Sequence, residues 1–291
     1  MMKKIVITFM LSLLCYVVSA QSLYVYSIIG KAEVLKGNDW VKLVKRARLS
    51  SKDNIRVGEN SALSLLDRDA EKIYSIPETT GDVSKIIESL KDKQQNVSSQ
   101  FFQHAMRSMF NGGSDKISHS AAGCTYRGDE VEFDISRSIQ QKLNGAKMDE
   151  ISNEKTDYSI SFEVIKRNTK EKVEGNANIG EQSFFRIKNN SNKPMYVNIL
   201  DIDAQGKRVV CLPMDDAQTM AHLLIPANCT IDLTDYSTEF TESKGTDCMI
   251  LVAAENPFDL RMVSNKIDES DNKNATKHFP VGIYKKKTTV E

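Results

Sequence analysis

The chain is poor in the residues that most often carry chemistry. Its 291 residues include four histidines, His104, His119, His222 and His278, which are scattered. No CxxC, HxxxH or HExxH spacing occurs, so the compact zinc and metalloprotease signatures are missing. A surplus of one charge is lacking too: 39 Lys and Arg stand against 39 Asp and Glu. Proteins that live by polyanion attraction need excess Lys and Arg, so nucleic acid is excluded as the main partner. Beyond residue 20 no apolar stretch is long enough to span a bilayer, and a membrane-spanning product is not expected. What remains is a composition of 40% apolar and 27% charged residues, ordinary for a folded chain.

The first twenty residues read as a signal peptide. Lys3 and Lys4 precede the apolar run Ile5 to Val18, and Val18-Ser19-Ala20 supplies small residues for cleavage before Gln21. The run has 14 residues where a spanning helix needs about 20. Cys15 follows Leu13-Leu14, a poor lipidation context, and reads as part of the apolar run. The expected product is exported, periplasmic or secreted, with a net charge of −2 after loss of Lys3 and Lys4. Four cysteines would remain. Cys211, Cys229 and Cys248 lie in strand-like stretches of one region, which permits a disulfide among them; Cys124 sits apart.

Residues 21–80 form closely spaced short apolar runs broken by polar turns, the pattern of a small β-barrel or roll. The series Ile29-Gly30-Lys31-Ala32-Glu33-Val34, Trp40, Leu43, Asp53-Asn54-Ile55-Arg56-Val57 and Ser61-Ala62-Leu63 resembles FecR-type extracytoplasmic β modules, with bacterial SH3-like modules close behind. The resemblance implies a recognition or signalling piece. A FecR-type regulator also has a membrane span and a cytoplasmic tail, which the sequence does not display.

From Asp82 to Phe110 the period becomes helical, with Thr80 or Asp82 placed to cap and Gly112-Gly113 to terminate. Ile135, Ile139 and Leu143 suggest one further helix, so residues 81–157 read as a helical connector with a Gly/Ser linker. Residues 158–262 return to about seven short strands, which predicts an antiparallel β-sandwich. Residues 263–291 read as a polar tail. The runs Phe184 to Ser191 and Met195 to Asp203, then Gly206, Leu212-Pro213, Ile225-Pro226 and Glu255-Asn256-Pro257-Phe258, resemble a β-sandwich domain of unknown function found in bacterial exported proteins and fused to caspase-like peptidases. That family brings no established catalytic residues, and the peptidase domain itself is not evident. The fold expected is mainly β with α.

Candidate chemistry is thin. Cys124 with His119 or His104 as base lacks an orienting third group, and its ordinary reading is a half-buried thiol. Asp201-Ile202-Asp203-Ala204-Gln205-Gly206 begins like a calcium loop, but its twelfth position is Leu212, so a hairpin turn is expected. Gly112-Gly113-Ser114 lacks the Lys of a phosphate loop. The basic clusters Lys42, Lys45, Arg46, Arg48 and Lys285-Lys286-Lys287 read as solvated faces or turns. No catalytic, cofactor or metal residue is therefore expected. The leading expectation is a non-catalytic envelope interaction module whose partner is an envelope protein or glycan. Two alternatives follow: a sensor or accessory protein of a caspase-like peptidase, and a thiol hydrolase using Cys124.

Overall fold

The structure is a computed structural model that describes residues 23–90, 158–203, 208–213, 223–240, 245–262 and 281–290. It also describes the helical residues Phe102, Ala105, Met106, Met109, Ser136, Arg137 and Ile139. The architecture is mainly β with α, as the alternation of apolar residues indicates.

The amino-terminal unit holds strands β1 (Leu23–Ile29), β2 (Ala32–Lys36), β3 (Asp39–Lys42), β4 (Arg48–Leu49), β5 (Asn54–Val57), β6 (Ala62–Asp67), β7 (Lys72–Ile76) and β8 (Thr79–Asp82), then helix α1 (Val83–Ser89). They pair antiparallel into two four-stranded sheets, ordered β4-β1-β6-β7 and β3-β2-β5-β8. Leu23, Val25, Val34, Ile55, Leu63 and Leu65 fill the core between these sheets, joined by Val83, Ile86 and Ile87 of α1. Asp82 is the N-cap of α1 by backbone position, without a capping side-chain bond. Its carboxylate meets Lys85 at 2.8 Å instead.

The carboxy-terminal unit holds β9 (Ile160–Lys166), β10 (Asn176–Ala177), β11 (Gln182–Asn189), β12 (Met195–Ile202), β13 (Arg208–Leu212), β14 (Leu223–Ile225), β15 (Cys229–Asp232), β16 (Thr238–Glu239), β17 (Gly245–Ala254) and β18 (Val281–Val290). One sheet runs β10-β18-β17-β12-β13 with β14 also on β12, and the other gathers β9, β15 and β16 around β11. They face each other across Val164, Phe185, Ile187 and Ile231 on one side and Val197, Ile199, Leu251 and Ala253 on the other. This is the expected sandwich. β10 and β18 pair in parallel, the one departure from antiparallel order among the described residues.

Two features differ from the sequence reading. The polar tail assigned to 263–291 is corrected at its end, because Val281–Val290 is a ten-residue strand paired along its whole length with β17. Its Lys285-Lys286-Lys287 run hid the strand: charge outweighed Ile283, Tyr284 and Thr288-Thr289-Val290 in the pattern. The sandwich also has a third layer. On β12 the odd positions face the sandwich interior, while Tyr196, Leu200 and Ile202 enter another core with Cys248, Ile250 and Val252 of β17. That core takes in Phe102, Ala105, Met109 and Ile139 of the helical connector, and Tyr26, Leu66 and Ile73 of the amino-terminal unit. A bond from the Asp232 amide to the Asn60 carbonyl, at 3.0 Å, adds to the junction. No helix among the described residues is long and apolar enough to cross a membrane.

Candidate functional site

β3 is the most open surface of the amino-terminal unit. Hairpin β2–β3 turns through Gly37 and Asn38, and Gly37 at φ 63° supplies the positive φ that the first position of a type II′ turn requires. The turn fixes the register Glu33↔Lys42, Val34↔Val41, Leu35↔Trp40 and Lys36↔Asp39. Since strand side chains alternate, Trp40 and Lys42 share the outer face with Glu33 of β2, and with Arg56 of β5, which lies opposite Glu33. The Arg56 guanidinium lies 4.6 Å from the Trp40 ring centroid. It is held there by Glu33, whose Oε2 is 2.8 Å from Nε and 2.6 Å from Nη2. This fixes a flat aromatic and a cation side by side on a rigid sheet.

On its inner face β3 carries Val41, which leaves 47% of its surface in solvent, and the adjoining loop exposes Val44 at 62%. Lys42 and Arg46 are exposed beside them in the chain, while exposed Arg48 lies on β4 of the other sheet, opposite Tyr24. The basic cluster noted in the sequence is thus interleaved with apolar and aromatic surface.

The carboxy-terminal unit offers a different environment. At the end of the sandwich where β11 begins and β12 finishes, a cavity of about 240 Å³ is lined by Phe185, Cys211, Leu212, Tyr236 and Thr238. Asp201 of β12 lies beside Cys211. Burial, reinforced by the carboxylates of Asp247 and Asp203, pushes Asp201 up to about 7. Buried Ser183 and Thr288 have hydroxyls without hydrogen-bond partners. Among the described residues neither a histidine nor a low-pKa nucleophile stands here. Burial pushes the Cys211 thiol up to about 12, with Asp201 adding to the effect, and burial alone does the same to Cys229. Such thiols stay protonated near neutrality and are inert as nucleophiles.

The disulfide that the sequence permits among Cys211, Cys229 and Cys248 is not formed: all three are free thiols. Cys248 is enclosed in the core shared with the connector, while Cys211 and Cys229 pack against the sandwich interior on the other side of the central sheet. The sheet therefore separates Cys248 from the other two. Cys124, His104, His119, His222 and His278 lie outside the described residues, as does the signal segment at 1–20. Among the described residues no three His, Cys, Asp or Glu side chains form a group able to hold a metal. Set against models of known protein families and against curated protein sequences, the chain matches none.

Proposed function

We propose that this chain is a non-catalytic, exported protein of a bacterial envelope that works as an interaction module, with the β3 edge as its contact surface. The observation that carries the reading is the exposure of Val41 and Val44 beside a Trp40 ring already fixed against Arg56. Interfaces draw their energy from anchored aromatic, Arg and apolar groups. A rigid Trp–Arg pair loses little conformational freedom when a partner arrives. The buried thiols of Cys211 and Cys229 are consistent with binding in preference to catalysis.

Export follows from the character of residues 1–20, and the FecR-like and sandwich-like resemblances are in keeping with an extracytoplasmic recognition role. The test uses the purified full chain with envelope proteins and envelope glycan fragments. A partner should change the emission of Trp40, the single tryptophan. A Val41→Ser/Val44→Ser variant should bind roughly tenfold more weakly, about 1.4 kcal/mol, with an unchanged melting temperature. If no envelope component alters Trp40 emission, or if hydrolytic activity is found and disappears in Cys124→Ala, the reading fails.

A further inference from the structure

Backbone geometry at β3 specifies what kind of partner this surface fits. Antiparallel pairs alternate between residues that exchange both backbone hydrogen bonds and residues that exchange none. The Leu43 amide donates to the Ala32 carbonyl at 2.8 Å. Stepping back along the register places the bonded positions at Val41 and Asp39. The amide and carbonyl groups of Trp40 and Lys42 therefore point away from β2. β3 ends its sheet, with β2 as its neighbour and no described strand on its other side.

Side chains supply the sequence preference. An added strand would run past exposed Val41 on one face and past Trp40 and Lys42 on the other, because its own side chains also alternate. Exposed Lys42 on β3 and Arg46 in the adjoining loop stand beside this edge, against Asp39 as the exposed acid of β3. Glu33 is already engaged by Arg56. The local field is basic although the chain as a whole is neutral.

We propose that β3 accepts an extended segment of a partner protein, alternating acidic and apolar residues, as an added strand bonded to the outward backbone groups of Trp40 and Lys42. The proposal rests on reading this edge as an interaction surface. It takes the partner to be a protein strand, with glycan as an outcome of the test. Main-chain bonds provide the affinity, and the acidic residues select the partner through Lys42 and Arg46.

The experiment titrates the full chain with three synthetic peptides: alternating Glu and Val, alternating Lys and Val, and the Glu–Val peptide with Pro at every second Val. The Glu–Val peptide should shift Trp40 emission, and its binding should weaken as ionic strength rises from about 0.05 M to 0.5 M. In amide exchange the Trp40 and Lys42 N–H groups should slow by roughly tenfold on binding, while the already bonded Val41 N–H is unchanged. Lys42→Pro removes an outward donor that the native sheet does not use, so it should keep the fold and lose peptide binding, whereas Lys42→Ala should bind several-fold more weakly. Equal binding of the Lys–Val or Pro-containing peptide overturns strand addition, as does unchanged exchange at Trp40 and Lys42. If an envelope glycan shifts Trp40 emission and none of the peptides does, strand addition falls while the interaction surface stands. If neither peptide nor envelope component does so, both fall.

Discussion

Asp201 illustrates how a single side chain can carry a pH signature for the whole carboxy-terminal unit. Its carboxyl sits at the end of β12 with Asp247, Asp203 and the Cys211 thiol as neighbours, and burial holds its pKa near 7. In the unfolded chain it returns to the ordinary carboxylate range. Between that range and about 7 the folded protein holds one proton more, so Asp201's contribution to stability is full at low pH and is lost as pH rises through 7. Asp201→Asn should remove this loss. Plotted against pH, the stability of the variant minus that of the native protein should climb between pH 4 and 7, by at most about 1.4 kcal/mol per unit. Urea unfolding across that range checks it, and parallel curves would refute it. The sequence showed Asp201-Ile202-Asp203 as a hairpin approach. It could not show Asp247, some 45 residues away, coming alongside, because that proximity is made by β12–β17 pairing.

At the scale of elements, the two sheets of the sandwich are tied at one end by a single side chain. Asn189 closes β11 and is fully buried. Its Nδ2 donates to the carbonyls of Lys193 and Pro226 at 2.8 and 2.9 Å, with that of Ile225 at 3.3 Å. Its Oδ1 accepts from the amide and hydroxyl of Ser191, at 3.0 and 2.6 Å. The clamp thus joins the end of β11 to the start of β12 and the end of β14. Asn189→Ala should remove these bonds across the sandwich end and cost about 2 kcal/mol, read as a lowered urea midpoint with an unchanged slope.

Most strands were legible from pattern alone. β12 fills the run Met195 to Asp203 noted in the sequence, and the helical spacing of Phe102, Ala105, Met106 and Met109 gives helical residues that pack against the rest of the chain. β10 and β16 were missed because two-residue strands have no period to read. The amino-terminal β pattern, with Trp40 and Leu43 in it, already pointed to β3. Its openness could not be read, since whether an apolar residue such as Val41 is covered depends on which strand ends the sheet.

For the whole molecule, the decisive feature is that β12 and β17 are buried on both faces. A run such as Met-Tyr-Val-Asn-Ile-Leu-Asp-Ile shows almost no alternation, a sign of cover on both sides. That cover comes from the connector and from Tyr26, Leu66 and Ile73 of the amino-terminal unit. The two units should accordingly melt together. Calorimetry should give one transition whose calorimetric and van't Hoff enthalpies agree, and Leu66→Ala, costing about 3 kcal/mol, should lower it without splitting it. Two separable transitions would mean that the shared core contributes little.

The placement of β18 bears on how the protein is born. β17 has β12 on one side and β18 on the other, and β18 is the last described strand in the chain. A polypeptide that emerges amino end first holds β17 ready while the strand that closes its second edge is still to come. Over that interval the ten-residue edge of β17 faces outward. Closure of the sheet therefore waits for residues 281–290, and whatever guards the nascent chain must stay with it until they are released.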